Sequence, residues 1–361
     1  MTKFEDNHKV ILHVSNIGAF TPSFVKLIDM EFSKKRHKFW LVGEKSLKRY
    51  PIEKKENIFI VKKTVIGQLH AYLYLLMTLH CSQKIILHGL FNARVILILV
   101  FCPWLLKKCF WIMWGADLYQ YQHPKVGWRE KLVEKLRRFV IKRMGHLVTY
   151  LPEDLKLARK WYGATGEYHE CLMYLSNIMD PKMLINSGQP KEESSELNIL
   201  IGNSADPSNN HFEVLEKLKI YKNENIKIYV PLSYGDRNHA QKVIERGKKE
   251  FGDKFVALSD FMPFEQYVEF LKCIDIVIFN HKRQQAMGNT ITLLGMGKTV
   301  FMRKDVSQRF FLESVGLYLK DVSQFSLEPL TQKALEKNIQ IIRSRFSLET
   351  LKQQYSELFE V

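Results

Sequence analysis

The chain has 361 residues, of which 46% are hydrophobic, so it is long enough for two domains that each bury a substantial core. Its 54 Lys and Arg against 38 Asp and Glu give a formal net charge of +16, which indicates a polyanionic partner such as nucleic acid, anionic lipid or a phosphorylated small molecule. Five scattered cysteines argue against a disulfide framework or a zinc site, and the longest apolar stretch, residues 95–106, contains Pro103 and is too short to span a bilayer. We expect a reducing cytosolic compartment, without an N-terminal signal or an integral membrane segment.

Short β-branched runs alternate with amphipathic stretches of helical length along the first half of the chain. Strands that alternate with helices of this length predict a parallel sheet covered by helices on both faces. The predicted strands are residues 10–14, 39–42, 58–61, 84–87, 109–113, 147–150 and 171–174. The predicted helices are residues 21–34, 67–80, 92–106, 128–144 and 152–161.

A polar segment rich in chain breakers, residues 186–196, is interpreted as the linker between two domains, residues 1–185 and 197–361. Because open parallel sheets bind ligands beyond the carboxyl ends of their strands, we predict an α/β fold with a ligand cleft between the domains. The second domain has predicted strands at residues 197–201, 226–230, 255–258, 274–279 and 299–301. Its predicted helices are residues 209–221, 237–251, 263–273 and 288–296, followed by a helical tail at residues 330–358.

The run at residues 198–211 ends a predicted strand in a loop of small polar residues and then opens a helix. Gly202 lets the backbone turn closely around a ligand, and the N–H groups at the helix start would face a phosphate. An ordinary strand-to-helix turn with a good cap explains the same string. The polar candidates in this loop are Asn203, Ser204, Asp206, Ser208 and Asn209.

A second loop of this kind, residues 281–290, lies between a later predicted strand and its helix. Arg283 can grip a phosphate with its planar guanidinium, and Gly288, Asn289 and Thr290 open the helix with backbone N–H donors. A solvated basic loop with a helix cap is the alternative. Two such loops in one domain favour a diphosphate site.

Tyr234 follows another strand of this domain, where its ring could stack on a base. The chain lacks a GxxxxGK[ST] P-loop and a GxGxxG after its first strand, so NTP hydrolysis and NAD chemistry lose their main support. No Asp-x-Asp is placed to hold a diphosphate-bound Mg²⁺, and we therefore expect no metal and no other cofactor. Arg283 and the helix N-termini would neutralise a leaving diphosphate.

In the first domain, residues 88–92 follow a predicted strand, and residues 111–119 run out of the predicted strand that begins at Cys109. Asp117 is the only carboxylate of the second stretch and lies among aromatic residues, a setting that raises an aspartate pKa toward that of a useful general base. A helix cap beside a tryptophan core is the alternative interpretation. His88 is a further catalytic candidate, although a single histidine after a strand is often only structural.

Residues 125–143 form a basic amphipathic segment with eight Lys or Arg against two Glu. Such a helix can lie on an anionic membrane surface with its apolar side toward the lipid. The alternative is a helix whose apolar side joins the core and whose cations face solvent. Nucleic acid is a disfavoured partner, because no RNA- or DNA-binding module accompanies the charge.

Five strings together resemble one known family, in the same order and with similar spacing. They are residues 88–92 (HGLFN), 114–119 (WGADLY), 202–211 (GNSADPSNNH), 230–234 (VPLSY) and 283–285 (RQQ) with Gly288. The family is that of the bacterial TDP-4-acetamido-4,6-dideoxygalactose (Fuc4NAc):lipid II transferases of enterobacterial common antigen synthesis. The resemblance covers about residues 10–309.

This resemblance implies a GT-B glycosyltransferase with two Rossmann-like domains, acting peripherally at the cytoplasmic face of the inner membrane. Its implied partners are a TDP- or UDP-linked sugar donor, a polyprenyl-diphosphate-linked glycan acceptor and an anionic membrane surface. The catalytic chemistry falls to Asp117 and His88, and acceptor binding to His13, Asn92, Trp114 and Tyr119. The resemblance places eight residues in the donor site: Asn203, Ser204, Asp206, Ser208, Asn209, Arg283, Gln284 and Gln285. The loop and strand-end positions described above add Gly202, Tyr234, Gly288, Asn289 and Thr290 to the predicted donor site.

This chain departs from the family pattern at Pro207, where a more polar residue is expected, and at Ala286, where a glycine is expected. Either change could reshape the sugar pocket, so the identity of the sugar stays open. The sequence also leaves open the nucleotide base and the stereochemical outcome. The alternative functions are another sugar-nucleotide enzyme, such as an NDP-sugar epimerase, and a non-enzymatic basic membrane-binding module.

Overall fold

The computed structural model describes residues 10–179 and 196–360 and divides the chain into two compact units. The first unit runs to Ser176 and also takes in the segment that begins at Leu351, and the second runs from Asn177 to Thr350. Each unit contains a parallel sheet with helices, as the alternating pattern predicts. The predicted linker at residues 186–196 lies outside the described residues except for Glu196.

The first unit is built on a seven-stranded parallel sheet with the strand order β3-β2-β1-β4-β5-β6-β7. The prediction of a last strand at residues 171–174 is wrong, because that segment contains Met173 in the left-handed region at φ 71° and cannot stay extended. The strands are β1 (Ile11–Asn16), β2 (His37–Val42), β3 (Ile58–Val61), β4 (Lys84–His88), β5 (Cys109–Ile112), β6 (His146–Val148) and β7 (Glu167–His169).

The helices of the first unit connect successive strands and bury apolar side chains against the sheet. The predicted helix at residues 92–106 is divided, because Pro103 cannot continue an α-helix. The helices are α1 (Thr21–Glu31), α2 (Val65–Cys81), α3 (Ala93–Phe101), α4 (Trp128–Lys142) and α5 (Pro152–Tyr162), with 3₁₀ turns at Glu44–Lys48, Pro103–Lys108, Tyr119–Gln122 and Leu175–Asn177.

The second unit has a six-stranded parallel sheet in the order β10-β9-β8-β11-β12-β13. Its strands are β8 (Leu197–Ile201), β9 (Ile226–Pro231), β10 (Phe255–Leu258), β11 (Ile276–Phe279), β12 (Thr299–Met302) and β13 (Lys320–Asp321). Its helices are α6 (His211–Leu218), α7 (Arg237–Phe251), α8 (Phe264–Lys272), α9 (Met287–Gly295), α10 (Ser307–Ser314) and α11 (Gln332–Arg345), with 3₁₀ turns at Pro207–Asn209, Lys219–Tyr221, Gly252–Lys254 and Val322–Gln324. Sequence patterns missed α10 and β13, which are only eight and two residues long.

The sequence pattern places the last helix, α12 (Leu348–Glu360), in the second domain at residues 197–361, and the structure places most of it elsewhere. From Leu351 onward it belongs to the first unit. Its Tyr355 is fully buried, with the ring centroid 5.6 Å from that of Phe24, and Lys84 donates a 3.0 Å hydrogen bond to a carbonyl at the end of the helix. The helix therefore completes the core of the first unit.

Each sheet has a topological switch point where the chain reverses direction across the sheet, between β1 and β4 in one unit and between β8 and β11 in the other. Ligands of open α/β sheets bind beyond the carboxyl ends of the strands at such points. Among the helices of residues 10–179 and 196–360, none combines the length and apolar character needed to cross a bilayer.

Candidate active site

The loop that follows β8 is held in one conformation by its own side chains. Gly202 lies in the left-handed region at φ +66°, and a Cβ there would stand 2.9 Å from the side-chain oxygen of Asn209. Asn209 is fully buried, and its amide donates to the carbonyl oxygens of Ser204 at 3.0 Å and Asp206 at 3.2 Å. Ser204 is likewise buried. Asn209 and Ser204, both predicted to belong to the sugar-donor site, are therefore buried residues that fix the conformation of the loop.

The structure brings the two predicted phosphate loops together. The side-chain amide of Gln285 donates 3.0 Å hydrogen bonds to the side-chain oxygens of both Asn203 and Asn209, and its oxygen accepts a 2.9 Å hydrogen bond from the Ser208 hydroxyl. Both N–H groups and the oxygen of one glutamine thus cross-link the loops beyond β8 and β11. A pre-ordered loop pair loses less conformational entropy when a ligand binds.

Arg283 and Asp206 form an ion pair across the same two loops, with Nη2 and Oδ2 3.0 Å apart. Burial raises the pKa of Asp206, but hydrogen bonds from Ser208 and the Arg283 charge outweigh this effect and hold that pKa below its ordinary value. Both side chains are more than one-third exposed. A guanidinium carries five N–H donors, so Arg283 can hold Asp206 and still meet a phosphate oxygen.

The helix after the second loop begins at Met287, one residue before the predicted start. Its N-cap is Ala286 at φ +56°, the position where the family pattern expects a glycine. The first N–H groups of α9 have no partner within the helix and can face an anion, with Gln284 beside them in the half-exposed loop. Thr290 is fully buried, and its hydroxyl binds the carbonyl of Ala286 and the amide of Gln308, so it does not fit the predicted role in ligand binding.

A pocket of about 250 Å³ adjoins this loop pair at the carboxyl ends of β9 and β10. Asn203, Tyr234 and Asn289, all predicted donor residues, line it together with Phe261 and Tyr267. The Tyr234 hydroxyl accepts a 2.9 Å hydrogen bond from Asn203, and the Tyr267 hydroxyl accepts one of 3.0 Å from Asn289. Aromatic walls with amide groups at fixed positions suit a planar heterocycle.

Sequence reasoning missed Phe261 and Tyr267, although the rule that finds the other loops also points to the residues after β10. The string Asp260-Phe261-Met262 begins two residues after the end of that strand and lines the pocket. Pro207, the other departure from the family pattern, is the first residue of a 3₁₀ turn capped by Asp206. Proline has no N–H to leave unpaired there, so its ring fits the position.

In the first unit, Asp117 is fully buried and accepts four hydrogen bonds. Its donors are the indole N–H of Trp111 at 2.7 Å and the peptide N–H groups of Leu90 at 2.9 Å, Trp114 at 2.9 Å and Leu118 at 3.0 Å. A carboxylate has about four lone-pair positions. Burial raises the pKa of this carboxyl, while the hydrogen bonds from Trp111, Leu90 and Trp114 and the charge of Arg137 oppose that rise. The predicted general-base role does not fit this placement, because no lone pair is left for an acceptor hydroxyl.

His88 is part of a buried chain of hydrogen bonds. Its Nε2 lies 3.2 Å from Nδ1 of His13, whose Nε2 lies 2.9 Å from Nδ1 of His37. The Nδ1 atom of His88 lies 2.6 Å from the hydroxyl of Tyr174. That hydroxyl also accepts a 3.0 Å hydrogen bond from the indole N–H of Trp114. Burial lowers the pKa of His88 to about 3, that of His37 to about 4, and that of His13 well below its ordinary value.

The remaining acceptor-side predictions lie near these residues in different surroundings. His13 is fully buried and does not fit the predicted contact with an acceptor. Asn92 caps α3 by accepting hydrogen bonds from the N–H groups of Arg94 and Val95, and it lines a small depression with His88. Trp114 and Tyr119 are half-buried, so part of each ring remains available to an acceptor.

Comparisons with known proteins identify the family and the fold of this chain. A family model described as "4-alpha-L-fucosyltransferase glycosyl transferase group 56" matches residues 17–343. HepE from Anabaena, solved with UDP and glucose, is 12% identical, with 98% of this chain and 100% of that one covered and a TM-score of 0.65. A glycosyltransferase from Rickettsia africae ESF-5 is 14% identical over 98% of each chain, with a TM-score of 0.63.

Sucrose-phosphate synthase from Thermosynechococcus elongatus is 10% identical, with 97% of this chain and 98% of that chain covered and a TM-score of 0.64. At these identities the likenesses concern the fold, and they confirm the predicted GT-B fold. The family match over most of the chain confirms the resemblance found in the sequence.

Proposed function

Because this chain belongs to glycosyl transferase group 56 and is a glycosyltransferase, we propose that it moves a deoxyamino sugar of the Fuc4NAc type from a nucleotide diphosphate to a polyprenyl-diphosphate-linked saccharide. The observation that carries the donor side is the cross-linked pair of loops beyond β8 and β11, with Arg283 and the start of α9 beside a pocket with aromatic walls. The fucosyltransferase description of the family supports a 6-deoxy sugar.

In this proposal the base of the donor occupies the pocket between Tyr234 and Tyr267, and its diphosphate lies against Arg283 and the first N–H groups of α9. HepE, which shares the fold, was solved with UDP, and this supports a nucleoside diphosphate as the ligand. The C–O bond between the anomeric carbon and the diphosphate breaks, the acceptor hydroxyl oxygen forms the new bond to that carbon, and the hydroxyl proton passes to the departing diphosphate. Arg283 and the helix N-terminus stabilise the negative charge that develops on the departing diphosphate, and no metal is required.

The acceptor is assigned to the first unit, near Trp114, Tyr119 and the depression lined by His88 and Asn92. Asp117 is placed here as a positioning residue, because its four hydrogen bonds fix the turn that carries Trp114. A polyprenyl-linked acceptor is anchored in a bilayer, so the proposed location is the cytoplasmic face of the inner membrane. The net charge of +16 supports contact with anionic lipid there.

The first test is a thermal-shift screen with TDP, UDP, GDP and ADP, followed by calorimetry on any nucleotide that stabilises the protein. A ligand that binds only the folded state raises the stability of that state. We therefore expect a higher melting temperature with TDP or UDP and no change with ADP. The second test measures nucleotide diphosphate release from a TDP- or UDP-linked deoxyamino sugar. Release only with a polyprenyl-diphosphate-linked saccharide supports the proposal, and transfer to a water-soluble saccharide alone contradicts the lipid-linked acceptor.

A further inference from the structure

The first unit exposes a row of apolar side chains along α2 and the segment that follows it. Positions 69, 73 and 77 recur at helical spacing on one side of α2, and the opposite side packs into the core through Ala71, Leu75 and Leu79. The exposed fractions of the six residues that define this surface, here named the α2–α3 face, lie between 43% and 72%. These residues are Leu69, Leu73, Met77, Leu97, Phe101 and Trp104.

Contacts at both ends of α2 make this face one continuous surface. At its start, the Arg94 guanidinium at the beginning of α3 hydrogen-bonds to Gln68 and lies 5.4 Å from the ring centroid of Tyr72. At its end, the indole N–H of Trp104 donates a 3.3 Å hydrogen bond to His80. The exposed side chains of α2 therefore adjoin those of α3 and Trp104. Contiguous apolar patches of this kind mark interaction sites on soluble domains.

The segment that carries this face is positively charged, and the nearest carboxylate given by its contacts is that of Glu44, which accepts a 3.0 Å hydrogen bond from the peptide N–H of Lys63. From residue 57 to residue 116 the sequence contains six Lys or Arg and no Asp or Glu. Lys62 and Lys63 are exposed directly before α2, Arg94 is exposed at the start of α3, and Lys107 is exposed after Trp104. A segment of this length without a carboxylate is complementary to an anionic surface, and cations around an apolar face are typical of helices that lie in a membrane interface.

The basic helix α4 was the surface expected from the sequence to contact lipid, but its apolar side is mostly core. Val140 and Ile141 are fully buried, and even Glu134 and Arg137 are less than 9% exposed. Trp128 and Leu132 are the large apolar side chains of α4 that are exposed among the described residues. The helix therefore presents cations to solvent more than an apolar face.

We propose that the α2–α3 face docks the first unit on an anionic lipid bilayer. Its apolar side chains enter the headgroup and acyl boundary, Trp104 lies at the polar interface, and the flanking Lys and Arg contact lipid phosphates. The proposal rests on the proposed function only in the choice of a bilayer as the partner. Docking is tested without sugar donor or acceptor. A negative docking result would therefore not contradict the proposed transferase reaction, and a negative transferase result would not contradict docking.

The test is flotation of the full chain with vesicles of phosphatidylcholine alone and of phosphatidylcholine mixed with phosphatidylglycerol. We expect flotation with the anionic vesicles and a loss of about tenfold or more in the partition coefficient for the double variant L73Q/M77Q, because each replacement removes an apolar side chain from the lipid. The variant K62Q/K63Q should weaken binding to the anionic vesicles and should not change binding to vesicles of phosphatidylcholine alone. Quenching by brominated lipid should fall in Trp104→Phe relative to the wild type.

The matched controls remove the same chemistry elsewhere. M30Q/I220Q replaces two apolar residues that are 69% and 77% exposed outside the face, and K34Q/K35Q removes two exposed charges on the first unit. Both should float as the wild type does, and nucleotide-induced thermal shifts should be equal in all variants. The proposal is overturned if L73Q/M77Q floats like the wild type, or if replacing Trp128 and Arg129 of α4 abolishes vesicle binding while L73Q/M77Q does not. It is also overturned if the wild type is a dimer in solution and L73Q/M77Q changes it to a monomer without changing its flotation.

Discussion

The carboxylate of Asp117 accepts a 2.7 Å hydrogen bond from the indole N–H of Trp111, and neither side chain is exposed. Trp111 lies on β5, and Asp117 lies beyond the carboxyl end of that strand. The same carboxylate also accepts from the peptide N–H of Leu90, which follows β4. One buried side chain therefore joins two neighbouring strand ends. These hydrogen bonds, here called the Asp117 clamp, give the 114–119 string a structural role.

Asp117→Asn should destabilise the first unit and raise the KM for the acceptor through Trp114, while leaving kcat per folded molecule close to that of the wild type. An asparagine presents one acceptor oxygen in place of two, so buried N–H groups lose their partners, at a cost of about 2 to 4 kcal/mol in free energy of unfolding. Urea unfolding measures the stability, and steady-state rates normalised to the folded fraction measure the activity. A variant with unchanged stability and no turnover would restore the general-base role.

Trp111→Phe is the matched control for this clamp. It removes one donor and leaves the carboxylate with three peptide partners, so the free energy of unfolding should fall by less, about 1 to 2 kcal/mol. If Trp111→Phe costs more than Asp117→Asn, packing of the indole in the core outweighs the hydrogen bonds, and the clamp is secondary.

Arg283→Ala should weaken binding of the donor nucleotide by about 10- to 100-fold, because a charge-assisted contact to phosphate contributes about 1.5 to 3 kcal/mol. The partner in the free protein is Asp206, so the variant also releases that carboxylate toward the diphosphate. Calorimetry with UDP and TDP measures the affinity. Lys282→Ala removes an equal charge from the neighbouring exposed position and should change the affinity little. An equal loss of nucleotide affinity in the two variants would show that the loss of net positive charge, and not a specific contact between Arg283 and phosphate, causes the effect.

Local patterns in the sequence predict most of the strands and helices and both phosphate loops, because alternation, turn residues and helix starts are set by neighbours along the chain. The loop at Gly202 and the loop at Arg283 were found in this way, and they lie together because both follow central strands of one parallel sheet. The role of Asp117 could not be read from its string, since burial and four donors are set by β4 and β5 together. Similarly, helical periodicity predicts one helical tail at residues 330–358, which the structure divides into α11 and α12, and it does not show which core receives Tyr355.

Ala286→Gly should stabilise the second unit by about 0.5 to 1 kcal/mol. Ala286 lies in the left-handed region at φ +56°, where a Cβ atom is strained, and glycine removes that strain at the expense of a more flexible unfolded chain. Urea unfolding measures the change. Ala240→Gly, within α7, is the control and should destabilise by about 0.5 to 1 kcal/mol. A loss of stability in Ala286→Gly would show that the methyl group makes contacts worth more than the strain.

The free energy of unfolding should fall as the pH is lowered from about 6.5 toward 4, because the buried histidine chain resists protonation. Burial lowers the pKa of His37 to about 4 and that of His88 to about 3, whereas both ordinarily titrate near 6.5 once unfolded. In this window the unfolded chain binds more protons than the folded one, so each such histidine contributes a slope of up to about 1.4 kcal/mol per pH unit. Arg36 lowers the pKa of His37 further, and Asp29 partly opposes it. Urea unfolding at closely spaced pH values measures the slope, and His37→Gln should reduce it. A flat profile across this window, or an unchanged slope in the variant, would contradict a neutral buried chain.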